Sequence, residues 1–452
     1  MGALKLIENI HTLFTANSYG TELNHAYVLI DDNVIEELGE GTYDGEVPDK
    51  VYDGSHKVMI PGLVNTHHHL YQTLFRNFKP ANNSKLFDWL TTLYDRWELL
   101  NHDAIYSSTM IGLAELLSSG VTTTSDHLYV FPGGNNDFFD TEVEVAERVG
   151  IRFHPTRGSM SLSREEGGLP PKEVVQTEEE ILSEYERVID EFHDPDRFSM
   201  IRVALAPCSP FSVSEKLMQE TAEMARKHRV LLHTHLAETE DENDFCLEKV
   251  GLRPVDYMEK LGWLGNDVWF AHLVHLTDDE IVKLSKARVG MSYCPSSNMR
   301  LGSGIAPVTK MKGTNLNISV AVDGSASNDS SNMIKELRQG LLLQRVEYGA
   351  DAISPRDMLR FGSIGGARVL GRQDEIGSIE PGKAADLVMV DLNRLEFAGG
   401  LSDPVSLLLL CDTKGVDFTM VNGEVLVHGG NLMDESILEF VPKQNEIAAR
   451  FY

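Results

Sequence analysis

Three adjacent histidines, His67, His68 and His69, sit inside the segment PGLVNTHHHLYQ (Pro61 to Gln72), and a short apolar run, Lys57 to Ile60, leads into them. Alternate residues of an extended strand point the same way, so His67 and His69 share one side while His68 faces the other. Further along, His235 closes a second apolar run with Glu238 three residues beyond it, and His272 and Asp323 close two more. Three imidazoles and one carboxylate suit a borderline divalent ion, Zn²⁺ foremost and Fe²⁺ as the other candidate, with a position left open for water. Glu238 and His272 then remain for proton transfer. Singly, each residue has an ordinary explanation, His235 and His272 as core histidines and Asp323-Gly324 as a turn. Their recurrence at the ends of successive runs argues for one shared site. His68 is expected to pack or hydrogen-bond behind it, His233 falls two residues too early, and His272 is preferred to His275 because it ends its run.

Delivering these residues to one place requires a repeated architecture. Eight short β-type runs alternate with helical patterns: Lys57 to Ile60, Val121 to Asp126, Ile151 to Thr156, Ile201 to Ala206, Val230 to His235, Val268 to His272, Val289 to Tyr293 and Ile318 to Asp323. Segments between them, such as Glu178 to Phe192 and Glu215 to His228, carry apolar residues at three-and-four spacing. Eight such units predict a (β/α)8 TIM-like barrel, in which the C-terminal strand ends build the active site. An open doubly wound sheet is the alternative, but no glycine-rich phosphate loop follows any run. Residues 1–57 and 373–452 have a different texture, short β-runs and turns, and are expected to combine into a small β-sandwich domain around a barrel of residues 58–372. Two segments exceed ordinary loop length, Tyr71 to Asp103 and Ser159 to Gln176, and are expected to lie over the site.

The composition bounds what such a molecule binds. The 452 residues are 42% hydrophobic, enough for a large core, and 40 basic against 69 acidic residues give a formal net charge of −29. That field repels phosphate backbones and anionic membranes, so no nucleic acid or membrane partner is expected. The short acidic clusters Thr177 to Glu180 and Glu238 to Asp244 read as solvated surface. Cys208, Cys246, Cys294 and Cys411 are widely spaced, as free thiols of a reducing, cytoplasmic compartment are. No apolar run reaches the length of a membrane span, and neither a signal peptide nor a myristoylation signal is evident.

In order along nearly the whole chain, PGLVNTHHH, HTHLAE, AHLVHL and VDGSASN resemble the amidohydrolase superfamily, in its branch of mononuclear-metal aminohydrolases and deaminases. The resemblance implies metal ligands at His67, His69, His235 and Asp323, proton-handling residues at Glu238 and His272, and a β-domain split between the two ends. Binuclear members carry a lysine on the fourth strand; Ile201 to Ala206 has none, which implies a single metal ion. The stretches RGSMSLS, GGLPP, LAPCSPFSVS and CPSSNMRLGSGIAPV are similar to those of members acting on free, oxidised purine-like bases. Others sharing them act on hydroxylated triazines or pyrimidine bases.

A flat, oxygen-rich ring needs an amide, a cation and a stacking surface. Gln72, Arg157, Trp89 and Trp97 are the candidates, with Cys208 beside them at the end of the fourth run. Their ordinary alternatives are a surface ion pair for Arg157, lid core for the tryptophans and small-residue packing for Cys208. Three functions are therefore expected to compete. The first is a deaminase of a purine-like base; the second is a hydrolase opening a cyclic amide or releasing an amine or chloride from a triazine; the third is a metal-free structural relative. The third conflicts with six filled positions. The small-molecule substrate is the main expected partner, with a homo-oligomer as a further possibility.

Overall fold

The computed structural model describes residues 2–452. Five strands open the chain, β1 (Leu4–Phe14), β2 (Glu22–Asp31), β3 (Val34–Glu40), β4 (Lys50–Asp53) and β5 (Lys57–Pro61). Eight follow, β6 (Leu63–Asn65), β7 (Val121–Leu128), β8 (Arg152–Ser159), β9 (Ala204–Pro207), β10 (Leu231–Leu236), β11 (Val268–His272), β12 (Gly290–Tyr293) and β13 (Asn317–Val320). The last four are β14 (Leu387–Asp391), β15 (Phe418–Val421), β16 (Glu424–His428) and β17 (Asn431–Leu432).

Strands β6 to β13 pair in sequence order, all parallel, with helices between them. Strands covered on both faces carry no polar alternation, and β7 and β8 are buried along their whole length. The seam between last and first strands is bridged where Val322 N donates to Asn65 Oδ1 at 2.9 Å and Asp323 N to the His67 carbonyl at 3.2 Å. Inside the barrel, Thr66 Oγ1 meets Ser292 Oγ and Ser319 Oγ, each at 2.6 Å, so the polar layer beneath the site satisfies itself.

One expected barrel strand belongs elsewhere. Lys57–Pro61 pairs with β1 and, antiparallel, with β14, so it is part of the terminal sheet; the first barrel strand is the three-residue β6 beyond Gly62. Both are short apolar runs, and composition does not distinguish which sheet takes which. The other seven barrel runs stand where the alternation places them. The second sheet joins both chain ends in the order β17-β16-β15-β14-β5-β1-β2-β3, with β4 on β1. The Lys5 ammonium ties its two halves further, donating to the Gly423 carbonyl at 2.7 Å.

The acidic clusters are more than solvated surface. Thr177 and Glu180 form a reciprocal cap on the helix Glu178–Phe192, each side chain satisfying the other's backbone N–H. Glu242 is buried and serves the active-site rim described below. The long insertion after β6 contains the helix Leu86–Trp97, whose face of Leu86, Trp89, Leu90, Leu93, Tyr94 and Trp97 lies buried toward the barrel. Arg164, from the second long segment, reaches Asp95 on this helix at 2.9 Å, so the two covering segments brace each other. All four cysteines are free thiols.

Candidate active site at the C-terminal rim

His67 and His69 leave the end of β6 with their rings buried, and β10 brings His235 beside them. The hydrogen bonds of their outer nitrogens decide where the protons sit. His69 Nδ1 faces the His127 carbonyl at 2.7 Å and His235 Nδ1 the Cys208 carbonyl at 2.6 Å. A carbonyl only accepts, so both Nδ1 atoms carry the proton and both Nε2 atoms present a lone pair. His67 reaches the same state by a relay: His233 Nδ1 donates to the Trp269 carbonyl at 3.0 Å, which leaves His233 Nε2 to accept from His67 Nδ1 at 2.8 Å.

Three bare Nε2 atoms therefore converge with no proton between them. His69 Nε2 lies 3.2 Å from His235 Nε2, and Asp323 Oδ1 lies 3.2 Å from His67 Nε2 and 3.4 Å from His69 Nε2. His67 Nε2 is buried and has no hydrogen-bond partner. Burial holds these imidazoles neutral, His67 well below the usual histidine range and His69 down to about 4. Acceptors facing acceptors at such distances repel unless a cation lies among them, so the donor set fits a divalent metal ion.

Beside this centre stand Glu238 and His272. His272 Nε2 is 3.4 Å from Glu238 Oε2, and its Nδ1 accepts from Asn298 Nδ2 at 3.0 Å, which places the ring proton on Nε2, toward the site. Burial, with Asp323 and Glu242 nearby, pushes the Glu238 carboxyl well above the ordinary range. The backbone at the rim is bent: Ala237, His272 and Asp323 have φ of 53°, 79° and 61°, a region costly for residues with a Cβ. Glu242 supports the first bend, accepting from Ala237 N and Glu238 N at 2.9 Å each. Asp323 Oδ1 accepts from Gly324 N at 2.7 Å, which fixes the second carboxylate.

The cavity above is walled by His69, His235, Glu238, His272 and Asp323 together with Gln72, Trp89, Cys208 and Phe211. Gln72 Oε1 is buried without a hydrogen-bond partner, an acceptor left for a ligand. It fits only because residue 324 is glycine; a Cβ there would stand 2.0 Å from Gln72 Oε1. Trp89 is held by its Nε1 donating to the Ala326 carbonyl at 3.3 Å. The Cys208 thiol is pushed up to about 12 by burial, so it is a neutral wall group and no nucleophile.

Arg157 and Trp97 stand behind that wall. The Arg157 guanidinium lies 3.5 Å over the Phe131 ring and donates to the Gly158 carbonyl, to Asn136 Oδ1 at 2.9 Å and to Gln176 Oε1 at 2.8 Å. Those bonds occupy it with protein acceptors. Trp97 is fully buried against Tyr71, Trp89, Tyr94 and Tyr129. His68 turns away from the centre, toward Ser331 Oγ at 2.9 Å. Sequence reasoning passed over His127, whose ring groups with His67, His69 and His235. It falls one residue beyond the second β-run as drawn, and the strand-end rule applied one position further would have found it. Asn298 and Glu242 carried no such signal.

A parallel barrel whose C-terminal rim gathers a metal-binding donor set defines a metal-assisted hydrolase scaffold. The chain belongs to the amidohydrolase family, whose sequence model matches residues 58–426. It is 48% identical over 417 residues to the 8-oxoguanine deaminase of Pseudomonas aeruginosa, covering 92% of each chain. It is 35% identical over 440 residues to the hydroxydechloroatrazine ethylaminohydrolase of Pseudomonas sp. strain ADP, covering 94% of this chain and 91% of that one. The zinc complex of atrazine chlorohydrolase from Arthrobacter aurescens superposes with a TM-score of 0.93 at 30% identity, over 98% of this chain and 100% of that one.

Proposed function

We propose that the protein hydrolytically deaminates a free oxidised purine, 8-oxoguanine, to urate and ammonia. The observation that carries the chemistry is the set of three unprotonated Nε2 atoms and Asp323, flanked by Glu238 and His272. The kinship to a deaminase of that base carries the substrate. His67, His69, His235 and Asp323 hold one divalent ion, zinc in this reading, which when bound supplies a water that ionises near neutral pH.

The protein's own groups do the rest. His272 donates through Nε2 to orient the attacking water against the ring carbon that bears the exocyclic amine. Glu238 takes one proton from that water and delivers it to the adjacent ring nitrogen, then takes the proton left on the newly bound oxygen and passes it to the departing amine. One C–O bond forms, one C–N bond breaks, and ammonia leaves as the carbonyl is completed. Gln72 accepts a ring N–H through its unpartnered Oε1, Trp89 offers a flat face, and Cys208 closes the edge. Arg157 and Trp97 act through the wall they support.

The competing reading, an aminohydrolase of a hydroxylated s-triazine, is favoured by the triazine-directed relatives and by their similarity in fold. Isocytosine is a third ring the same centre would accept. Ammonia release is compared as kcat/KM for 8-oxoguanine, guanine, isocytosine and a hydroxylated aminotriazine. The highest value is expected for 8-oxoguanine, and faster turnover of a triazine or of isocytosine overturns the substrate assignment while leaving the deaminase chemistry. No helix is long and apolar enough to cross a membrane; the free thiols support a cytoplasmic site of action. The exposed Leu342 and Val346 on the helix Met333–Tyr348 are the surface a homo-oligomer would cover.

A further inference from the structure

The opposite end of the barrel holds a second cluster of histidines with the reverse arrangement of protons. A recess of about 250 Å³ opens where β8, β9 and β10 begin, lined by His154, His193, Arg202 and Arg229 with apolar residues from Val203 to Leu370. His154 Nε2 lies 3.3 Å from Arg372 Nη1. A guanidinium only donates, so His154 Nε2 accepts and the ring proton sits on Nδ1. His193 Nδ1 accepts from Val203 N at 3.1 Å, which places its proton on Nε2. Neither N–H has an acceptor among the described residues. Burial, reinforced by Arg372, Arg202 and Arg152, holds His154 neutral.

The charge around this recess is equally one-sided. Arg152, Arg202 and Arg372 surround His154, and the two carboxylates that answer them are Glu375, bonded to Arg202 and Arg372 at 2.9 and 2.8 Å, and Asp386, bonded to Arg152 at 3.2 Å. Three guanidinium groups thus face two carboxylates in a buried setting. Arg372 is fully buried and its Nε has no partner. Arg229, at the mouth, makes no salt bridge among the described residues, and no carboxylate lines the recess. Asp194 and Asp196 lie on the outer loop beside it. In a chain of net charge −29, a pocket lined by histidines and arginines and by no carboxylate is a local reversal of field.

We infer that this recess is a binding site for a phosphate-class oxyanion, held by His154 Nδ1–H, His193 Nε2–H and Arg229, at the barrel face remote from the catalytic rim; Arg202, which donates to Ser199 Oγ, the Pro195 and Asp196 carbonyls and Glu375, adds positive charge to the wall. Ring N–H donors without a protein acceptor and an unpaired guanidinium at the mouth are what recognise such an anion. Its volume is below the roughly 300–1,000 Å³ of typical organic-ligand pockets. An adjoining recess shares Leu231 and Gly371 with it and contributes Arg288 and Arg368, with Asp267 paired to Arg226 at 2.8 Å, so the oxyanion has two sources, the free ion or the phosphate of a mononucleotide.

Isothermal titration calorimetry of the metal-loaded enzyme, at fixed ionic strength in chloride, tests the site with inorganic phosphate and with a nucleoside 5′-monophosphate. Saturable binding is expected, weakened at least tenfold by Arg229→Ala while kcat/KM for deamination stays unchanged. Because Arg229 is exposed, its loss leaves folding intact; His154→Gln gives the same test from inside the recess. Equal affinity for both probes assigns the free ion. Tighter mononucleotide binding that falls to the phosphate value in Arg288→Ser assigns the phosphomonoester. Absence of saturable binding for both probes, or affinities unchanged in Arg229→Ala, overturns the proposal.

Discussion

Histidine does opposite work at the two ends of this barrel, and the difference lies in what each ring's second nitrogen touches. At the C-terminal rim the outer nitrogens face carbonyls, at 2.7 Å for His69 and 2.6 Å for His235, so protons point outward and lone pairs converge. At the N-terminal face one nitrogen of each ring faces a donor, Arg372 Nη1 or Val203 N, so the lone pair is taken and each ring keeps a free N–H. Both sets of rings are neutral. The same side chain, uncharged, thereby prepares one end for a cation and the other for an anion, and a single hydrogen bond per ring decides which.

The largest expected effect breaks the rim. His235→Ala or Asp323→Ala removes a converging donor, and elemental analysis should find the metal lost with deamination at background; wild type should carry a single ion per chain, and twice that amount contradicts the donor count. Glu238→Gln comes next. Its amide keeps the shape but moves no proton, so the metal stays and kcat falls by roughly 10²- to 10⁴-fold. Near wild-type turnover would reduce Glu238 to a neighbour of the site.

The comparison is sharpened most directly by His233→Leu. Losing the acceptor for His67 Nδ1–H frees that ring to place its proton on Nε2, and competition by a chelator should show metal affinity lowered by roughly 10- to 100-fold. Unchanged affinity would mean that the relay does not set the proton's position. The smallest effect is at the other end. Burial alone would push the Glu375 carboxyl up, but hydrogen bonding to Arg372 and the nearby Arg202 outweigh it and hold it below the ordinary range. A depressed folded value contributes stability above the unfolded pKa, near 4.3, that is lost as pH falls through the folded value. Glu375→Gln is therefore expected to destabilise by about 1–3 kcal/mol at pH 7, with the gap to wild type closing below about pH 4 in urea titrations. A gap independent of pH would show that packing, and no ion pair, is at stake.

The rim was largely legible because it obeys a rule of position: His67, His69, His235, His272 and Asp323 each follow or end an apolar run, and a barrel brings such ends together. Proton positions were not legible, since they depend on carbonyls such as those of His127 and Cys208, which any residue type supplies equally. The lid tryptophans illustrate the same limit. Trp89 and Trp97 lie on one helix face, yet only Trp89 reaches the cavity, because that depends on how the helix Leu86–Trp97 is rotated. Arg157 ends its strand at the expected height, but Asn136, Gln176 and Phe131 occupy it. The arginine recess was hidden altogether: Arg152, Arg202 and Arg372 come from three separated segments and share no motif. Strand β6 was missed because a three-residue strand after Gly62 is shorter than any pattern can register.

The sheet built from both chain ends also sets an order in time. Strand β5 is made early in synthesis, but its partner β14 begins only at Leu387, 326 residues after Pro61. At translation rates of about 5–20 residues per second, the edge of β5 waits roughly 15 to 65 seconds for that partner. Through that interval an apolar strand with unpaired backbone groups is available to any passing edge. The barrel's first strand β6 meets its last, β13 (Asn317–Val320), before β14 is made, so the edge of β5 still waits after the barrel can close.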